Sequence, residues 1–259
     1  MTIRRAVALL EADPLRHVVS LKMLAHFQDR VEVRLVEDTR GWALVALLPT
    51  SAFEYDARNY AGVPLAVLVN GSSVEAMLEL LRELPQTGFV LKTGDAAVQR
   101  FARAQYGAAP VRSFASFTSV NAAVTGAPGA GHEVVDSGAL DAHARELFCQ
   151  TIYDEAELEK YFAAGAHWFG LREEGRLVSG CFVFRNFGVV WEVAGLFTRV
   201  SHRRRGLAAE VVRAAIVYLL ARGRQPRYQV ETENVASLEL ARRLGLEQFI
   251  RVEHFLVRP

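Results

Sequence analysis

Cysteine is scarce in this chain. Cys149 and Cys181 are the only two in 259 residues, too few for a disulfide-stapled scaffold. Cys149 falls on an expected helix and Cys181 in an apolar strand, so both read as reduced thiols filling core space. No motif histidine accompanies either, which argues against a catalytic thiol or a metal site. A long apolar run is missing as well: no stretch reaches the roughly 18 residues a membrane-spanning helix needs. The N-terminus is basic, then apolar, but Glu11, Asp13 and Pro14 interrupt it too early for a secretory signal. A cytoplasmic location is the expectation. Charge of one sign is lacking too. A net charge of +1 gives no reason to expect nucleic acid or an acidic membrane as partner. His17 and His26 have no company of ligand-type residues, and no metal is expected.

What is present is a globular composition, 51% hydrophobic and 23% charged, over a length that suggests two domains. The most informative stretch runs from Trp191 to Phe249. It opens as a strand, Trp191-Glu192-Val193-Ala194-Gly195-Leu196-Phe197-Thr198, and turns through Arg199 to His202 into Arg203-Arg204-Arg205-Gly206-Leu207-Ala208. A helix follows, with Leu207, Val211, Ala214, Ala215, Tyr218 and Leu219 at helical spacing, and Gly223 and Pro226 as stop signals. A strand, a basic Gly-containing turn and a helix N-terminus together can bind an anion, because the unpaired N–H groups of the first turn and the helix dipole favour negative charge; three arginines on a solvated turn are the competing reading. Gly206 lets the backbone approach a phosphate closely.

The order strand, Arg203-x-x-Gly206-x-Ala208, helix, strand (Tyr228 to Glu231), then Asn234-x-x-Ser237-x-x-Leu240-x-x-x-Leu244-Gly245-Leu246 closely resembles the GNAT superfamily of acyl-CoA-dependent acyltransferases. The resemblance is strong over residues 137–259 and weaker before. It implies that the turn cradles the coenzyme A pyrophosphate and that the second motif supplies an asparagine and a helix beside the pantetheine arm. The cofactor-binding set it implies is Leu196, Thr198, Arg203, Arg204, Arg205, Gly206, Leu207, Ala208, Asn234, Ser237 and Arg243. Asn234 reads equally as a helix cap, and Arg243 as a solvent-facing residue.

The first half reads as a short strand, a helix begun by Asp13-Pro14, strands at Val31 to Val36 and Trp42 to Leu48, and a third at Pro64 to Val69. A helix capped by Ser72 or Ser73 then runs to Leu84, where Pro85 stops it. After it come a strand at Phe89 to Lys92, a helix at Ala96 to Tyr106 and a strand at Val111 to Val120. This order parallels the second half, which makes an internal duplication one reading and an unrelated α/β domain the other. The first copy lacks the basic Gly turn, having Asn70-Gly71-Ser72-Ser73 instead, and resembles the degenerate N-terminal half of two-domain GNAT proteins. Asn121 to Gly131 is small, uncharged and Gly-rich, a linker by composition. The expected fold is α/β (α+β): tandem GNAT-like domains, each a mixed, mostly antiparallel twisted sheet flanked by helices. The expected domains are a degenerate one at 1–122, a linker at 123–131 and a catalytic one at 132–259.

In the second half, helices are expected at Ser137 to Ile152 and Asp154 to Ala164. In the GNAT family these border the acceptor site. A hairpin follows through Glu174-Gly175, and Asn186-Phe187-Gly188 turns into the strand of Glu192. A last strand is expected at Phe249 to Val257.

Acyl transfer from a thioester to an amine needs a phosphate anchor, a donor for the developing oxyanion and a base. The family places the oxyanion donor at a backbone N–H matching Thr198, beyond a bulge that Gly195 suits. Glu192 is the expected base. It stands eleven positions before Arg203, a family spacing, and interrupts an apolar run, where burial raises a carboxylate's pKa. The outward-facing glutamate of a half-exposed strand is the competing reading. The family's thiolate-protonating tyrosine is replaced by Ala241, which leaves Tyr228 and Tyr153 as candidate acids. A thiol with a pKa of roughly 8.5 leaves tolerably without one.

The expected function is an acetyl-CoA-dependent N-acetyltransferase acting on a primary amine, whether small molecule, amino acid or peptide terminus, by direct attack. The expected co-substrate is acetyl-CoA, and the resemblance allows a homodimer. The competing expectation is a CoA-binding regulatory or scaffold protein.

Overall fold

A computed structural model of the chain describes residues 2–84, 87–119 and 133–258. The chain divides into two compact units, Met1–Ala115 with Ile250–Pro259, and Ser116–Phe249. The expected linker at 123–131 and the stop at Pro85 lie outside the described residues.

The first unit opens with two helices, α1 (Thr2–Leu10) and α2 (Pro14–His26). Where a strand was expected, α1 forms. Ala6 and Leu10, four apart, are buried while Arg4, Arg5 and Ala8 between and before them are exposed, a helical and not an alternating pattern. Asp13 caps α2 by accepting from the Arg16 amide at 3.1 Å. Next come β1 (Glu32–Asp38), β2 (Gly41–Pro49), α3 (Glu54–Asn59), β3 (Leu65–Gly71), α4 (Val74–Arg82), β4 (Phe89–Thr93), α5 (Ala96–Tyr106) and β5 (Pro110–Thr118). β1 and β2 pair antiparallel, as do β2 and β3, whereas β3 and β4 run parallel. The short α3 has no counterpart among the expected elements. Alternating sheet residues such as Val45, Val67 and Leu91 pack with Met77, Leu81 and Val98 of α4 and α5.

The second unit contains β6 (Val135–Ser137), α6 (Ala142–Phe148), α7 (Glu155–Ala163), β7 (His167–Glu173), β8 (Arg176–Phe187), β9 (Val190–Thr198), α8 (Leu207–Leu220), β10 (Gln225–Glu231) and α9 (Val235–Arg243). The expected helix Ser137 to Ile152 is shorter. Val135–Ser137 pairs with β7, and the helix starts only where Asp141 accepts from the Ala144 amide at 2.7 Å. Asp154 and Glu157 form a reciprocal capping box on α7. The β7–β8 hairpin turns on Glu174 and Gly175, both at positive φ (49° and 77°), as a two-residue turn of this hand requires. Cys181 is buried, its thiol reaching the Val211 carbonyl of α8 at 3.5 Å, and burial pushes it up in pKa. Cys149 caps the end of α6 and is exposed, so it does not fill core space. α8 covers the face of the sheet that Cys181 points to. Phe182 and Phe184, on the other face, join Leu147, Phe148 and Leu158 of α6 and α7.

The last strand, β11 (Glu247–Val257), departs from the domain assignment expected for it. Its residues Glu253–Val257 pair antiparallel with Thr93–Phe89 of β4, and Phe255 and Val257 are buried in the core of the first unit. Alternation along a strand specifies which face is apolar but not which sheet edge receives it.

Candidate active site

β9 and β10 are parallel neighbours, but their pairing lasts for three residues: Val190 with Gln225, Trp191 with Pro226, Glu192 with Arg227. β9 then continues to Thr198 and β10 to Glu231 without pairing with each other. From Ala194 to Arg199 the chain is only half-buried, where Val190 to Val193 is buried. The two strands therefore fork beyond Glu192.

A bulge bends β9 at the fork. Phe182 faces Ala194 and Gly180 faces Phe197, so Gly195 and Leu196 stand opposite the single residue Cys181. Gly195 lies at φ +59°, and a Cβ there would come within 2.2 Å of the Phe182 ring. Both facts require glycine. Gly195→Ala is expected to destabilise the protein by about 2–5 kcal/mol, the sum of left-handed strain and overpacking, read as a lower urea midpoint. An unchanged midpoint would show that the bulge yields.

Beyond the bulge, the Arg199 N–H donates to the Val178 carbonyl at 2.8 Å. Successive amides of a strand point to opposite sides, so the Thr198 N–H faces away from β8, into the fork. The Thr198 hydroxyl meets Ser179 Oγ at 2.8 Å, and its carbonyl accepts from Arg203 Nε at 3.1 Å. Arg203 thus braces the turn.

The turn ends at Gly206, φ +83°, which precedes α8 and offers no side-chain cap. A Cβ at Gly206 would meet nothing within 4 Å, so the space before the helix is open, and the exposed Arg204 lies at φ +62°. Leu207 is buried as the first anchor of α8, and Ala208 is half-buried beside it. An uncapped N-terminus beside open space suits a phosphate. Arg205 is drawn aside. It pairs with Glu173 at 2.5 Å, and His202 approaches the same carboxylate at 3.2 Å.

The corresponding turn of the first unit is closed by its own chain. The amides of Ser72 and Ser73 both donate to the Trp42 carbonyl, at 2.9 and 3.1 Å. Ser72 Oγ accepts from the Trp42 amide at 3.0 Å, and Ser73 Oγ from the Ala76 amide at 3.3 Å. Three amide donors of this turn, those of Ser72, Ser73 and Ala76, are thus already engaged.

Glu192 stands at the apex of the fork and is buried at 6% exposure. Its Oε2 accepts from Arg227 Nη1 at 2.5 Å and from Asn186 Nδ2 at 2.9 Å, while Oε1 accepts the Gln229 amide at 3.2 Å. The carboxylate thus replaces the ladder bond that β10 loses as it turns away. The burial agrees with a carboxylate set in an apolar run and excludes the outward-facing alternative, but Glu192 is also paired with a buried guanidinium. Arg227 and Asn186 escaped the sequence analysis. Their one signal was an arginine between Pro226 and the apolar Tyr228 and Val230.

The second motif behaves mainly as helix structure. Asn234 Oδ1 accepts from the Ser237 amide at 3.1 Å, the cap reading, and Arg243 is exposed, 3.5 Å from Glu239 on the same helix face. Ser237 also hydrogen-bonds Tyr228, whose hydroxyl burial pushes up to about 12. Tyr228 lies beside Cys181 on the α8 face, across the sheet from Glu192. Tyr153 interacts with Glu192, and burial raises its pKa most. Burial thus disfavours ionisation of both hydroxyls and makes them poor acids. Ala241 is fully buried. A tyrosine there would overpack the core, so restoring the family residue at that position is not neutral.

Among the described residues no group of three His, Cys, Asp or Glu could hold a metal, and no helix is long and apolar enough to cross a membrane.

Residues 139–246 match the acetyltransferase (GNAT) family model. No curated protein sequence matches the chain. Among solved structures, a tandem GNAT protein from the clavulanic acid biosynthesis pathway aligns with TM-score 0.59 and 15% identity over 99% of this chain and 94% of its own. A GNAT-family acetyltransferase from Colwellia psychrerythraea aligns at 0.61 and 12%, over 97% of each chain. A Drosophila protein aligns at 0.62 and 14%, over 99% and 96%. At these identities the structural likeness speaks for the fold, which is that of tandem GNAT proteins. The forked strands, the bulge and the uncapped helix occur where the family model matches, and residues 139–246 are a domain of the acetyltransferase (GNAT) family.

Proposed function

We propose that this protein transfers the acyl group of acetyl-CoA to a primary amine by direct attack, with one CoA site, in the second unit. The observation that carries the reading is the fork: β9 and β10 part after Glu192 and Arg227, leaving the Thr198 amide of β9 facing the fork next to an uncapped helix. The residues present fit the co-substrate. Amides of the Arg205–Ala208 turn would hold the pyrophosphate, with Arg203 and Arg204 adding charge. The Leu196 and Thr198 amides would bind along the arm, the latter polarising the acyl carbonyl. Acetyl-CoA supplies the activated acyl group as a thioester. Glu192 is the proposed base, taking a proton from the amine through its unoccupied Oε1 lone pair. Asn234, Ser237 and Arg243 are proposed to border the nucleotide end.

A second reading, a CoA-binding protein without turnover, draws support from the ion pair that engages Glu192 and from the buried Ala241. One experiment separates the two. Amines, amino acids and N-terminal peptides are screened with acetyl-CoA while free thiol is followed. Release with at least one acceptor is the expected result. CoA binding without release across the panel would establish the second reading.

A further inference from the structure

The cluster at the fork is poorly explained as a stability device. Arg227, Asn186 and Glu192 are all at least nine-tenths buried, at 3%, 8% and 6% exposure. Yet Asn186 Oδ1 and Arg227 Nε are buried without a hydrogen-bond partner. The Asn186 orientation follows from chemistry, since an ionised carboxylate only accepts and the amide must turn its nitrogen to Glu192. A buried ion pair adds little over apolar residues of the same size, and a partly satisfied polar network is worse than an apolar core. Pairing does fix the carboxylate's place. Arg227 is opposite Glu192 at the last paired position before the strands part.

We infer that Arg227 is a positioning residue for Glu192, fixing the carboxylate where the strands fork, with Asn186 as its second support. The inference rests on the proposed role of Glu192. Few other charges reach the carboxylate. From β10 come Arg227 and the Gln229 amide, and from β8 Asn186. From the segment between α6 and α7 comes Tyr153, which in turn interacts with Tyr161 and Glu157 of α7. α6 turns Ala144, Leu147 and Phe148 inward. Its Arg145 is paired with Glu155 and Glu159, and its Glu146 with Arg199. Arg227 thus contacts Glu192 as a buried cation, on the opposite strand.

The test is the pH profile of kcat/KM for thiol release in the full-length protein. Arg227→Met removes the cation, so the acidic limb is expected to move to higher pH by about 1–3 units, the range for an opposite charge at this distance. Arg227→Lys keeps the charge and should leave the limb in place while lowering kcat less than about tenfold. If Arg227→Met does not fold, Arg227→Gln carries the same expectation. A limb that stays put in the neutral variant, with only kcat or Tm reduced, would make Arg227 merely structural and overturn the inference. Glu192→Gln run alongside separates the two failures. Wild-type turnover in that variant sinks the base assignment itself, whereas impaired turnover with an unmoved Arg227→Met limb sinks this inference alone. Absence of turnover in the wild type overturns both.

Discussion

Glu192→Gln is expected to lower turnover by on the order of 100-fold or more, because an amide cannot accept the ammonium proton. The substitution is not innocuous. Glu192 Oε1 accepts the Gln229 amide while Oε2 faces Arg227 and Asn186. A glutamine must turn its NH2 toward one of these donors, and it leaves Arg227 as an uncompensated buried charge. Removing one partner of such a pair costs about 3–5 kcal/mol, so a loss of rate alone would be ambiguous. The double variant Glu192→Gln, Arg227→Met resolves it, since both charges are then gone. Stability by urea denaturation should recover in large part while the rate stays low. If the rate recovers with the stability, Glu192 is a structural residue and the base lies elsewhere.

Gly206→Asp should abolish acetyl-CoA binding. A ligand held only by the native state at 100 times its Kd raises stability by about 2.7 kcal/mol, which appears as a higher melting temperature in the wild type. At position 206 the φ of +83° strains any side chain, by about 1–2 kcal/mol for most residues and less for Asp or Asn. The space is open, so the fold should survive. The carboxylate would then stand at the uncapped N-terminus of α8, where a phosphate would sit. Gly206→Asn, of the same bulk without the charge, should retain part of the shift. Equal shifts for wild type and Gly206→Asp would place the phosphates somewhere other than this turn.

The elements of the second half were largely legible because local signals agreed with tertiary demand. Asp154 announced the start of a helix, Glu174-Gly175 a tight hairpin, and Arg203 to Ala208 an anion turn before an apolar helix. The bulge at Gly195 was expected from the family resemblance, and its φ of +59° shows why glycine stands there. The first half was less legible at its start, where ten residues of mixed apolar pattern suited a strand as well as the helix that Ala6 and Leu10 bury.

By itself, then, the sequence determined most of the elements from α2 onward, the turn that suits an anion and the carboxylate on the strand before it, because capping, periodicity and glycine conformation act over a few residues. Only the tertiary structure decided that Glu253–Val257 lies along β4, that the Ser72-Ser73 turn is closed by Trp42, and that Glu192 is held by Arg227, 35 positions away, and by Asn186. Each of these is a pairing between segments remote in sequence. Hydrogen-bond donors and charges carry no local mark of the partner that will satisfy them, so that choice is made only when the strands meet.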